Sequence, residues 1–314
     1  MTLYSFNCVS RHCFSQSIYI YGVDLGKKIK ILHFSDIHVH CNMRNLRWTE
    51  FLNKRSIGAV NLLRGRSKHF TFTKNKVDAL YEFQKSHEVD ILINTGDYTS
   101  LGTSEEIQVA KSLINPMLTS GKPYVTVPGN HDVYVNNKSF YQYFGDTLVS
   151  DLPEYCHDGH WPLVRLVNRE LAVIAVNSAR PNKLPWDSRG EVSTLQLNAL
   201  AQLAKDDRIK NRFVLIVTHY APILENSKVD KYFHSLRNTE DFLSKCGGFK
   251  NATILCGHIH YPYHTKYNET NIYCAGSATK HGKESFWLYE ISNNKLESYK
   301  GFWNGNEFLL TTVQ

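Results

Sequence analysis

The chain reads as a layered α/β protein, and three observations lead there. Short apolar runs of strand length alternate with stretches of helical spacing. Several of these runs stop abruptly in a turn that carries Asp, Asn or His. No internal repeat and no convincing linker divides the 314 residues. One domain is therefore expected over residues 28–314, behind an N-terminal extension of residues 1–27.

In order, "KIKILHFSD" (28–36) reads as a strand ending in a polar turn, and "NKVDALYEFQKSHE" (75–88) has helical spacing. "VDILINTGD" (89–97) is a second strand ending in Gly-Asp. "TSEEIQVAKSLINPML" (103–118) opens on cap residues and acids and reads as a helix. "KPYVTVPGNHD" (122–132) is a third strand with a polar tip. "LVRLVNRELAVIAVNS" (163–178) looks like two strands, and "STLQLNALAQLAKDD" (193–207) is a helix opened by a capping box from Ser193 to Gln196. "RFVLIVTHY" (212–220), "NATILCGHIH" (251–260) and "TNIYCAGSA" (270–278) are further strands. Between them, "YFHSLRNTEDFLSKCGG" (232–248) reads as a structural helix with a Gly cap, and residues 283–303 close the chain as a hairpin.

Composition narrows the setting. With 42% hydrophobic and 21% charged residues, the chain can bury a sizeable core and is not a disordered type. A net charge of +7 suits an anionic substrate, a nucleic acid or an acidic membrane surface, without choosing among them. The seven cysteines are scattered, with no CxxC pair, as expected of free thiols in a reducing compartment rather than a disulfide framework or a structural zinc site. No apolar run approaches the roughly 18–20 residues of a membrane span. Residues 1–27 lack a basic start, and Arg11, His12 and Gln16 interrupt any apolar centre, so a secretory signal is not expected. The expected location is cytoplasmic.

The chemistry lies at the strand ends. Five runs finish in metal-type ligands: Asp36 and His38 in "SDIH", Asp97 in "TGD", Asn130 and His131 in "GNHD", His219 in "VTHY", and His258 and His260 in "GHIH". In α/β sheets ligands gather beyond the carboxyl ends of strands, so five such ends can converge on one site. Leaving His131 aside, two Asp, one Asn and four His are too many for one ion. Two ions sharing Asp97 use them all, with four protein ligands each, in the arrangement that activates a water and holds a leaving oxygen. Mixed nitrogen and oxygen ligands without thiolate favour Mn²⁺, then Fe or Zn²⁺, over Ca²⁺.

The ordered set D-x-H, G-D, G-N-H-D, H and G-H-x-H resembles the calcineurin-like metallophosphoesterase family, with every metal-ligand position present, over residues 31 to about 280. The resemblance implies a four-layer αββα sandwich with two mixed β-sheets. It implies one metal on Asp36, His38, Asp97 and His260 and a second on Asp97, Asn130, His219 and His258, with attack by a metal-bound hydroxide. His131 then faces the substrate phosphate and serves the leaving group, and Asp132 orients its imidazole, by analogy with other His–carboxylate pairs. Because no ligand position is missing, a scaffold that has lost catalysis is disfavoured.

The family implies a reaction class rather than a substrate. Residues 44–70 carry Arg44, Arg47, Lys54, Arg55, Arg64, Arg66 and Lys68 against one acid, Glu50, interleaved with apolar residues. Such a segment can lie on an anionic membrane surface, grip a nucleic-acid backbone (less favoured, with few aromatics), or pack as an ordinary helix. "NKRSIGAVNLL" is similar to a stretch of bacterial members described as cyclic-nucleotide phosphodiesterases or as UDP-2,3-diacylglucosamine pyrophosphatases. The expected substrate is therefore a phosphorylated small molecule or a lipid-linked nucleotide. The first expectation is cleavage of UDP-2,3-diacylglucosamine to UMP and 2,3-diacylglucosamine 1-phosphate at the inner face of the cytoplasmic membrane. The alternative is a soluble 3′,5′-cyclic nucleotide phosphodiesterase or other phosphodiesterase.

Overall fold

The computed structural model describes residues 28–40, 55–56, 58, 60, 69–182, 184 and 186–311. The N-terminal extension and most of the basic segment 44–70 lie outside the described residues.

Two six-stranded sheets form the centre. The first contains β1 (Ile29–Phe34), β2 (Ile91–Asn94), β3 (Tyr124–Thr126), β10 (Ser285–Ser292), β11 (Lys295–Trp303) and β12 (Phe308–Thr311). Their order is β12-β11-β10-β1-β2-β3, with β1, β2 and β3 parallel and β10 antiparallel to β1. The second contains β4 (Leu163–Leu166), β5 (Leu171–Ala175), β6 (Phe213–Val217), β7 (Ala252–Cys256), β8 (Pro262–Tyr267) and β9 (Thr270–Ala275). Their order is β4-β5-β6-β7-β9-β8, with the four central strands parallel and both edges antiparallel.

Period-2 alternation assigns each side chain to a layer. Along the second sheet Leu171, Val173, Ala175, Leu215, Val217 and Leu255 join the core shared with the first sheet. The alternate residues Ala172, Ile174, Val214, Ile216, Ile254 and Cys256 join a separate core. That outer core takes Leu197, Leu200 and Leu203 from α4 (Thr194–Leu203) and Phe242, Leu243 and Cys246 from α5 (Thr239–Cys246). In the first sheet Trp287 donates to the Cys274 carbonyl at 2.7 Å and so faces the second sheet. Its neighbour Phe286 packs edge-on against Phe83 of α1 (Thr73–Ser86). Two further helices are α2 (Ser104–Leu118) and α3 (Lys138–Phe144), and α2 contacts both α1 and α3. The result is helix, sheet, sheet, helix, as the resemblance implied.

Local chemistry explains most boundaries, with three differences from the sequence reading. The reciprocal capping box belongs to α2, where Thr103 accepts from Glu106 N and the Glu106 side chain accepts from Thr103 N. At α4, Ser193 does accept from Gln196 N. The Gln196 side chain, however, turns away to Asp158, the Asn177 backbone and Ser193 Oγ, so that box is half made. The stretch 232–248 is helical only from Thr239, because residues 233–237 pair in an irregular path with residues 188–190, through Ser188 N to Phe233 O, Gly190 N to Ser235 O and Arg237 N to Gly190 O. Among the described residues no helix is long and apolar enough to cross a membrane.

His33, between the sheets, is fully buried and lies 3.0 Å from Tyr289 Oη and 3.2 Å from Thr95 Oγ1. Burial pushes its pKa down to about 3. A depressed imidazole pKa means that the unfolded chain binds the proton first. The neutral ring's contribution is therefore full above about pH 6.5 and is lost as pH falls toward 3. Urea unfolding of His33→Gln should show a slope of stability against pH smaller by up to about 1.4 kcal/mol per unit across that window. An unchanged slope would refute this assignment.

Candidate metal centre

The carboxyl ends of β1, β2 and β3 in one sheet and of β6 and β7 in the other open onto the same edge. Their loops are stitched together by backbone bonds: Asp36 N to Gly96 O at 2.9 Å, His38 N to Asp97 O at 3.1 Å, and Gly257 N to His219 O at 2.9 Å. All seven side chains expected from the strand ends meet there.

Asp36 Oδ1 lies 2.9 Å from His260 Nε2 and 3.5 Å from His38 Nε2, and these two nitrogens are 2.9 Å apart. Asp97 Oδ2 stands between the two halves, 3.6 Å from His38 Nε2 and 3.5 Å from His219 Nε2. Beyond it, Asn130 Oδ1 is 3.0 Å from both His219 Nε2 and His258 Nδ1, which are themselves 3.3 Å apart. Potential ligand atoms of Asp36, His38, Asp97 and His260 all fall within 4.8 Å of one another.

The surroundings turn lone pairs inward. His38 Nδ1 donates to Thr99 O at 2.9 Å and His219 Nδ1 to Thr95 O at 2.7 Å, which leaves each Nε2 as an acceptor facing the centre. Burial pushes the pKa of His219 down, and burial together with the neighbouring His234 and His219 holds His258 far down, so both are neutral. Burial alone would raise Asp36, but His260 beside it overrides that and keeps the carboxyl well below its usual range. Asp36 Oδ1 is buried yet accepts no hydrogen bond from the described residues. Converging acceptors of this kind suit cations: Asp36, His38, Asp97 and His260 could hold one divalent ion, and Asp97, Asn130, His219 and His258 a second.

His131 sits beside the centre, its ring 5.1 Å from that of His38 and stacked on Tyr134. Its orientation comes from Nδ1 donating to Ser100 O at 2.7 Å, which makes Nε2 the proton-accepting nitrogen. This corrects the role expected of Asp132. The Asp132 carboxylate instead accepts from Asp97 N and Gly129 N at 2.8 Å and from Thr99 N at 3.0 Å. It is fully buried and braces the two loops that present Asp97 and Asn130, because backbone N–H groups of both loops need a buried acceptor.

Two site contributions escaped the sequence reading. His234 places its backbone O 3.0 Å and its Nδ1 3.1 Å from His258 Nε2. The i,i+4 pairing of Asp230 and His234 was the available signal, but it reads equally as a helix surface. Arg55, counted above with the basic surface of residues 44–70, is buried and donates to Leu101 O at 3.0 Å and to Gly102 O at 2.6 Å. It supports the loop around His131. Of the other histidines near these motifs and loops, His40, His157 and His160 are exposed, and Cys256, just before Gly257, is a buried strand residue.

The motif glycines allow this close approach. A Cβ on Gly129 would strike Asp97 Oδ1, and one on Gly257 would strike Ser35 Oγ and Asp36 Oδ2. Gly257→Ala should therefore push Asp36 out of place and lose bound metal while unfolding cooperatively. Full metal content in that variant, by elemental analysis, would refute the packing argument.

The comparisons with known proteins agree with the fold. In sequence, 191 residues are 25% identical to a probable glycerophosphodiester phosphodiesterase of Arcobacter nitrofigilis, spanning 60% of this chain and 63% of that protein. In structure, the chain superposes on a dimetal phosphatase from Danio rerio with a TM-score of 0.62 at 13% identity, covering 91% of this chain and 99% of that one. It also superposes on a purple acid phosphatase from yellow lupin seeds with a TM-score of 0.56 at 13% identity, covering 90% and 53%. Residues 29–262 match the model of the calcineurin-like phosphoesterase family, which takes in both sheets' ligand-bearing strands, and the chain belongs to that family.

Proposed function

We propose that the chain hydrolyses a phosphodiester or pyrophosphate whose one arm is apolar, with UDP-2,3-diacylglucosamine as the first candidate. The observation carrying the reaction class is the meeting of seven inward-facing ligands beside a histidine that is not one of them. Two divalent cations there, Mn²⁺ first and Fe or Zn²⁺ next, would supply Lewis-acid polarisation of the phosphoryl oxygens and an activated water.

The chain's own residues do the rest. The carboxylates and imidazoles would hold the cations against which the phosphoryl oxygens bind, and the buried walls exclude bulk water. His131, held through Nδ1–H by Ser100 O, acts from its imidazolium form: it gives the Nε2 proton to the departing oxygen and is left as the neutral Nδ1–H ring. His131→Ala should bind metal as the parent does and lose about 10²- to 10⁴-fold in kcat. Turnover close to the parent's would refute the role.

The apolar arm is supported by side chains at the rim. Tyr261, next to His260, is 50% exposed, and Tyr232 and Phe233, next to His234, are 71% and 46% exposed. Such rings suit acyl chains or the interfacial region of a bilayer. The basic segment 44–70, without Arg55, is assigned to an anionic membrane surface at the inner face of the cytoplasmic membrane. A second reading, a phosphodiesterase acting on a small polar diester such as a glycerophosphodiester or cyclic nucleotide, is favoured by the likeness to the Arcobacter protein.

The two readings separate in one assay. Purified protein with Mn²⁺ is offered UDP-2,3-diacylglucosamine in detergent, glycerophosphocholine, cyclic AMP and an aryl phosphodiester. UMP release well above the other rates is expected. Fast turnover of the small diesters without UMP would replace the lipid reading with the second one.

A further inference from the structure

Three imidazoles of the centre, His38, His219 and His258, are not supported alike. The acceptors behind His38 and His219 are backbone carbonyls of Thr99 and Thr95, on the loop after β2 and wholly buried. His258 turns Nδ1 inward, so its support must come from Nε2, and that nitrogen points at an irregular surface stretch. His234 O is 3.0 Å from His258 Nε2 and takes its single proton. The His234 ring stacks on the His258 ring with centroids 4.0 Å apart, and Tyr220 covers the other side at 4.2 Å. His234 in turn is held by Asp230, whose Oδ2 lies 2.6 Å from its Nδ1. Nδ1 is thereby the donor to the carboxylate, which leaves the carbonyl as the acceptor for His258.

We propose that Asp230 and His234 are positioning residues for the second cation. They fix His258 in the Nε2–H tautomer, with its Nδ1 lone pair aimed beside Asn130 Oδ1. The proposal rests on the reading that His258 holds that cation. It also makes the two halves of the centre unequal. His38 in the first half and His219 in the second are held by buried loops, whereas His258 depends on a stretch held by a hydrogen bond between Asp230 and a His234 side chain that is 44% exposed. Imidazole ligands need their far nitrogen held, and removing such support weakens metal binding about 10- to 100-fold.

The experiment titrates the metal-free full chain with Mn²⁺ by calorimetry and by electron paramagnetic resonance. The variants are Asp230→Ala, Asp230→Asn and His234→Ala, with Lys228→Ala as a control from the same stretch. The parent should take up two ions and show a spin-coupled spectrum. Asp230→Ala and His234→Ala should keep the tighter site, weaken the other about 10- to 100-fold, and show an uncoupled six-line signal at low loading. Asp230→Asn retains an acceptor for His234 Nδ1 and should restore most of the loss, which a merely structural role does not predict. Lys228→Ala should match the parent. Equal affinities and coupled spectra in all variants would overturn the proposal, as would equal weakening of both sites. A parent that binds a single ion would instead overturn the two-metal reading beneath it.

Discussion

Backbone conformation is the constraint on which the centre depends. Asp36, His38, Asp97, His258 and His260 all have positive φ, between 43° and 72°. Left-handed geometry costs a non-glycine residue of order 1 kcal/mol or more, with Asp tolerating it better than most. An extended strand sends successive side chains to opposite faces. A left-handed residue at its end breaks that alternation and turns the side chain back toward the sheet edge. Five such turns in one place are sustained because the loops bond to one another across the two sheets.

The carboxylates divide their oxygens. Asp36 Oδ2 accepts from His258 N at 3.0 Å, while Oδ1 faces His260. Asp97 Oδ1 accepts from His131 N at 2.8 Å, while Oδ2 faces His38 and His219. Each acid is thus anchored by an amide of a different motif and still presents a charged oxygen to a cation. Gly129 and Gly257 are what let those amides come close enough. Asp132 does similar work with no oxygen turned inward, which is why it braces the site rather than orienting His131.

The layered architecture places these groups at an edge instead of in the core. Alternate residues of the second sheet fill two separate, mostly apolar cores, and the strand ends carry the converging Asp, Asn and His groups. The rim is another matter. Tyr232 and Phe233, which pack on each other, directly precede His234, the outer support of His258, so a surface that would meet an apolar arm adjoins the second half of the centre.

The sequence by itself determined the layered α/β class, most strands and helices, and all seven inward-facing groups. Those features are written locally, in apolar runs that end in Asp, Asn or His and in cap residues such as Thr103 and Glu106. Only the tertiary structure decided the partners. That Ser100 O orients His131, that Asp132 braces two loops, that Arg55 is interior and that His234 stands behind His258 all join residues far apart in the chain or buried out of register with any local pattern. The physical reason is that a hydrogen bond to a backbone carbonyl leaves no mark on residue type. Any residue can offer Ser100's or His234's carbonyl, and only the folded path brings it within 3 Å of the imidazole that needs it.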